Sequence, residues 1–171
     1  QEFRKACELV RNGRIGKVKT VIVGVGAPSK WCDLPEEPME PGLDWNFWLG
    51  PAPVRPYNSV LSPRGVHDHF PNWRSYREYS GGMMTDWGVH LIDIVQWAMN
   101  VEAPLSVSAV GGKFHLNDNR ETPDTIQAIY QYPDFAMSYE NRVCNAQQMN
   151  GKGYGIEFYG TEATLFVDRS G

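Results

Sequence analysis

The stretch SGGMMTDWGVHLIDIVQWAMN, residues 80 to 100, carries two carboxylates, an imidazole and an indole at helical spacing: Asp86, His90, Asp93 and Trp97. At about 100° per residue these four fall within one narrow sector of a helix. A carboxylate one turn from an imidazole favours its protonated form and fixes its tautomer, which a positioned proton shuttle requires. Asp86 lies in or near the first turn, where the helix dipole favours an anion. Ser80, Gly81 and Gly82 just ahead can cap the helix and let a ligand approach its start. On the opposite side Met84, Gly88, Leu91, Ile92, Val95 and Met99 form an apolar stripe suited to packing on a sheet, with Gly88 allowing close approach. The plain alternative is a solvated ion pair on an exposed helix. Trp97 sits awkwardly with that alternative, because a large aromatic side chain seeks cover.

Other candidates carry less chemistry. His67, Asp68 and His69 resemble a metal cluster, but adjacent residues rarely converge on one ion and no metal is expected there. Trp45, Trp48, Tyr57, Trp73 and Tyr76 could stack on sugar rings, with Arg74 or Arg77 contacting hydroxyl groups. Packing of a long loop on a sheet accounts for any single one equally well. Trp48, Tyr76, Arg77 and Asp93 are therefore the substrate-side candidates beside His90 and Asp86. Asp124, opening a strand after NRETP, reads as a cap or turn residue. VIVGVGAPS places Gly24 and Gly26 after a strand, as a dinucleotide-binding turn would, yet Ser29 stands where a third glycine belongs. No helix follows to receive a pyrophosphate, so the stretch reads as a strand end. GKGYG, residues 151 to 155, runs into a strand and is an equally poor phosphate cradle.

The elements that must position these residues follow from periodicity. Phe3, Ala6, Cys7, Leu9 and Val10 make a short helix that Gly13 and Gly16 terminate, and VKTVIVGVGA follows as a strand. Residues 28 to 65 hold most of the prolines in one irregular stretch whose aromatics favour an ordered wall over a linker. After the helix, LSVSAVGGKF, DTIQAIYQY, FAMSYENR, YGIEFYG and ATLFV read as five short strands, the second and third joined in an antiparallel hairpin by YPDF. The chain has 171 residues, enough for one domain, with 42% apolar residues and a net charge of −4. Scattered Lys and Arg exclude the basic footprint of nucleic-acid binding. No apolar run reaches the roughly 18 residues of a membrane span. Cys7, Cys32 and Cys144 lack paired spacing and read as reduced and structural. The abrupt start at Gln1 and the end at Gly171 suggest one domain, 1–171, cut at both ends from a longer two-domain protein.

The stretch from Gly81 to Trp97 resembles the motif of the Gfo/Idh/MocA oxidoreductases, the glucose-fructose oxidoreductase and inositol dehydrogenase group, which reads approximately GGxxxDxGxHxxDxxxW. Gly81, Gly82, Asp86, Gly88, His90, Asp93 and Trp97 match every fixed letter. ELVRNGRIGKV, DWNFWLGPAPVRPYN and YGIEFYGTEATLFVD are similar to the opening, the sugar-side loop and the late strands of that family's second domain. The resemblance implies an α+β fold, an open, predominantly antiparallel sheet with helices on one face, of the dihydrodipicolinate-reductase-like type. It implies a parent enzyme that moves a hydride between a secondary hydroxyl of a sugar or cyclitol and NAD or NADP, the nucleotide bound mainly by a Rossmann domain absent from this chain. His90 is then the acid/base and Asp86 the orienting or substrate group. The family's catalytic Lys, in an EKP-type motif, has no counterpart here, which implies that the chain alone is inactive. A homodimer or homotetramer and a cytoplasmic location are implied too, although some members carry export signals. Two other readings stay open: a redox-neutral nucleotide-dependent glycosidase or lyase, and a non-catalytic sugar-binding or oligomerisation module.

Overall fold

The β-branched run Val18–Val25 becomes β1, which pairs in parallel with Ala136–Arg142 (β4) and antiparallel with Tyr154–Gly160 (β5). In this computed structural model, residues 1–26, 33–62, 72–146 and 149–171 are described. The remaining strands are β2 (Ser106–Gly112), β3 (Thr125–Gln131) and β6 (Thr164–Val167), giving a six-stranded sheet in the order β2-β3-β4-β1-β5-β6. All pairings except β1 with β4 are antiparallel. Each strand that alternation predicts is present, and Tyr132 N donates to Phe135 O at 3.0 Å to close the β3–β4 hairpin, with the two rings stacked at 4.4 Å.

Register decides which face is covered. Val21, Met137 and Phe158 lie side by side across three strands, as do Val23, Tyr139 and Ile156, and all six are fully buried. Against this face pack α1 (Glu2–Arg11), through Ala6, Cys7 and Val10, and α3 (Val89–Met99), through Leu91, Val95 and Ala98. Burying each of the larger ones, Val10, Leu91 and Val95, contributes roughly 1.5–3 kcal/mol. The Arg11 guanidinium donates from Nε to the Trp97 carbonyl at 2.8 Å, tying the end of α1 to the end of α3, where cations meet the negative pole of the helix dipole. Asn100, in the left-handed conformation at φ 55°, ends α3.

The proline-rich stretch is ordered where it is described. Asp44 caps a short helix, α2 (Trp45–Leu49), accepting from Phe47 N at 2.9 Å. Trp45, Leu49, Tyr57, Leu61 and Tyr76 form a second buried cluster beside the main core. Gly24 lies within β1 and Met149 covers it, so the glycine pair at 24 and 26 belongs to a strand end. Pro28, Ser29, Trp31 and Cys32 lie outside the described residues, as do His67, Asp68 and His69. Cys7 and Cys144 are free thiols, Cys7 being buried. Among the described residues no helix is long and apolar enough to cross a membrane.

Asp124 does more than open β3. Its wholly buried carboxylate accepts from the backbone of Phe114, His115 and Leu116 at 3.2, 3.0 and 2.9 Å, and from the Thr125 hydroxyl at 2.8 Å. Burial opposes its ionisation, but these donors prevail and hold its pKa below the ordinary value. A depressed folded pKa means stability that is present above the unfolded pKa and lost as pH falls through the folded one. Asp124→Asn should therefore cost about 1–3 kcal/mol at pH 7. Thermal melts between pH 7 and 3 should show a shallower acid loss in the variant than in the wild type, which weakens below about pH 4.

Candidate functional site

The helix of the Gly81–Trp97 motif does not start as a regular α-helix. Gly82 turns into the chain's path at φ +74°, and a Cβ there would meet Thr122 at 2.8 Å, so only glycine fits. No side chain caps the helix start, contrary to the expectation for Ser80; instead the Thr85 hydroxyl accepts from Gly81 N at 3.0 Å and lies 3.3 Å from Ser80 Oγ, bracing the preceding bend. Met84–Gly88 then forms one π-helical turn before α3 begins at Val89. Such insertions are frequent at functional sites. Gly88 lies under the Tyr139 ring, where a Cβ would stand 3.1 Å from Cε2. That is the close approach its position in the apolar stripe predicts.

The π turn takes Asp86 out of strict register with the α-helical stripe, and its partner differs from the one that spacing suggests. Arg74 Nε donates to Asp86 Oδ2 at 2.8 Å, both side chains being largely buried. Among the described residues no hydrogen bond joins Asp86 to His90, so the expected carboxylate–imidazole pair is replaced by a carboxylate–guanidinium pair. The reason is tertiary: a 3₁₀ turn, Asn72–Ser75, places Arg74 beside the helix start. Spacing along one helix cannot reveal such a partner. His90, Asp93 and Trp97 all lie exposed on α3. Trp97 is 43% exposed, so the described residues do not provide the cover its type suggests.

On β4 two buried polar atoms, the Tyr139 hydroxyl and Asn141 Oδ1, have no hydrogen-bond partner among the described residues. Burial, then the neighbouring Tyr130, then the Asp86 carboxylate raise the Tyr139 pKa, so the phenol stays protonated. Neither residue stands out in the sequence, since both occupy ordinary inward positions of a strand. Trp87 lies between Tyr154, at 4.4 Å between ring centroids, and the Arg169 guanidinium, at 4.8 Å.

The other sequence candidates separate. Trp48 stacks on Trp45 at 4.5 Å and lines an open cleft. Tyr76 is wholly buried in the loop cluster, with Arg55 over its ring at 5.4 Å, so it positions the wall and offers no surface to a substrate. Arg77 is exposed, its backbone N–H donating to the Glu121 carboxylate at 3.0 Å. Among the described residues, no three His, Cys, Asp or Glu side chains converge as metal ligands.

The sequence pattern of the GFO/IDH/MocA C-terminal domain matches residues 56–166, and the chain belongs to that family. No curated protein matches it. Among solved structures it is similar to GenD2 from gentamicin A biosynthesis in complex with NAD, at 17% identity and a TM-score of 0.61, over 98% of this chain and 36% of that one. It is also similar to the WlbA dehydrogenase from Bordetella pertussis in complex with NADH and UDP-GlcNAcA, at 18% identity and a TM-score of 0.58, over 96% of this chain and 38% of that one. An oxidoreductase from Thermotoga maritima matches at 18% identity and a TM-score of 0.58, over 98% of this chain and 39% of that one. The chain thus spans well under half the length of these relatives, and the open, mostly antiparallel sheet is the fold they share with it.

Removing the guanidinium tests the pairing. Arg74→Met leaves the Asp86 carboxylate enclosed without its partner and should cost about 1.5–3 kcal/mol in urea unfolding at neutral pH. Adding Asp86→Asn should restore part of that loss. Additive losses would mean the two side chains do not depend on each other.

Proposed function

We propose that this chain is the substrate side of an NAD(P)-dependent oxidoreductase acting on a secondary hydroxyl of a sugar or cyclitol. The observation that carries the reading is the exposed His90 imidazole one turn beyond an Asp86 carboxylate locked by Arg74, within the family's glycine-led helix. In this reading His90 takes the proton from the substrate hydroxyl as general base and returns it in the reverse direction. Asp86, held by Arg74, fixes the start of the helix that presents His90 and is the orienting or substrate-contacting group of this reading. Asp93, one turn further along α3, Trp48 on the loop wall and Arg77 at the loop surface are the proposed substrate contacts.

The glycine pair at 24 and 26 does not fit the pyrophosphate of a nicotinamide nucleotide. Gly24 is paired on both sides within the sheet, Met149 covers it, and the Gly26 N–H is spent on Gly153 O at 2.8 Å. The amides of Gly24 and Gly26 are thus not left for a pyrophosphate. In our reading the nucleotide, which supplies the hydride acceptor, is held by a part of the protein beyond these residues. The relatives solved with NAD or NADH support the cofactor class.

Self-association through the uncovered sheet face belongs to the same reading. Val110 and Ile129 lie on the face opposite the helices and are 69% and 55% exposed. An apolar, solvent-facing patch of this kind suits a second copy, in a homodimer or homotetramer.

Two measurements test these points. In the full-length protein, nicotinamide absorbance across a sugar and cyclitol panel should show turnover, and His90→Ala should lower kcat by about 10²–10⁴-fold. Equal turnover in both forms would refute the proton shuttle. Val110→Lys combined with Ile129→Lys should reduce the sedimentation mass to that of a smaller assembly, whereas an unchanged mass would place the interface elsewhere.

A further inference from the structure

The connection from β2 to β3, residues 113–124, is braced along its length. Asp118 and Arg120 form an enclosed ion pair, Arg120 Nε donating to both carboxylate oxygens at 2.9 Å. Asp124 anchors the far end by gathering the amides of Phe114, His115 and Leu116. Between these anchors stands the buried Thr122. Its backbone is restricted as well, because Pro123 follows and a residue before proline is pushed towards extended conformations.

Thr122 touches the two segments that converge on the Arg74–Asp86 pair. Its hydroxyl donates to the Ser75 carbonyl at 2.9 Å, and its own amide donates to the same oxygen at 3.4 Å. Ser75 directly follows Arg74 in the 3₁₀ turn, so this carbonyl holds the backbone from which the guanidinium reaches Asp86. On its other side Thr122 lies against Gly82, where an added Cβ would stand 2.8 Å from Thr122 Cβ and 3.2 Å from its methyl carbon. The Gly82 carbonyl in turn accepts from Asp86 N at 3.0 Å. One β-branched side chain, stiff about its first torsion, therefore aims a hydroxyl at the Arg74 turn while packing against the Gly82 bend. Glu121 adds a lighter brace, its carboxylate accepting from Arg77 N at 3.0 Å.

We infer that Thr122 is a positioning residue of the candidate site: it sets the Arg74–Asp86 pair, through Ser75 on one side and Gly82 on the other, and with it the start of the helix that presents His90. Its kinetic consequence rests on the proton-shuttle reading of His90, whereas the positioning itself is a property of the fold. A reacting group must be held within about 0.5 Å of its productive place by side chains whose own rotamers are locked. The Thr122 hydroxyl and methyl supply that lock for both partners of the pair.

Two variants separate hydroxyl from shape: Thr122→Val keeps the shape and removes the hydroxyl, and Thr122→Ser keeps the hydroxyl. In the full-length protein, hydrogen exchange read by mass spectrometry should quicken about tenfold or more across residues 82–90 in Thr122→Val, with β4 and β5 unchanged, while Thr122→Ser stays within about threefold of wild type. An unaltered rate at 82–90, or an equal acceleration throughout the sheet, would overturn the assignment in favour of plain packing. Kinetics give a second arm. On the best substrate of the sugar and cyclitol panel, Thr122→Val should lower kcat about tenfold or more with KM little changed. In an Arg74→Met background the same substitution should lower kcat by about twofold or less, because the pair it positions is already broken. A full loss in that background would mean that Thr122 acts by another route, and would count equally against it. Absence of turnover with every compound would instead refute the redox reading, and the exchange rates would still decide the role of Thr122.

Discussion

The ion pair between Arg74 and Asp86 joins two parts of the chain that otherwise have separate cores. Arg74 belongs to the loop whose aromatics pack around Trp45 and Tyr57, whereas Asp86 belongs to the helix that covers the sheet. A largely enclosed carboxylate is costly without a partner, because its hydration is lost and only a specific cation replaces it. The loop is thus held in one position relative to the helix start. The π turn, the Gly82 bend and the cleft wall at Trp73 all lie within a few residues of that contact.

Close packing sets the helix itself. Gly88 admits the Tyr139 ring, and Leu91, Val95 and Ala98 continue the contact along the sheet. A Cβ at position 88 would stand 3.1 Å from the Tyr139 ring and 3.3 Å from Met84 Sδ, closer than ordinary van der Waals contact. The chain turns its polar stripe outward as a consequence, leaving His90, Asp93 and Trp97 accessible on the side away from the sheet.

The two sheet faces serve different ends. The helix-covered face holds the core and the candidate site, and the opposite face retains exposed aliphatic residues such as Val110 and Ile129. The parallel pairing of β1 with β4 lets this division arise in one small domain. β1, buried between β4 and β5, links the β2-β3-β4 meander to the β5-β6 hairpin, and residues far apart in sequence share one floor beneath α3.

Local patterning in the sequence was enough to determine the strands, the first helix and the identity of the motif, because alternation, helical period and turn residues act over a few positions. The hairpin at Tyr132 to Phe135 and the close approach at Gly88 were legible for that reason. The partner of Asp86 was not: helical spacing favours His90 as its neighbour, yet Arg74, delivered by a separate turn, makes the hydrogen bond. Nor could sequence separate Trp48, which lines a cleft, from Tyr76, which lies wholly inside the loop cluster. Both are aromatic residues in one loop, and only the three-dimensional packing of that loop decides which ring faces solvent. Residue types and short spacings therefore determined what chemistry the chain could carry. Tertiary structure decided which groups meet, since charge pairing and burial depend on contacts between segments that no local period encodes.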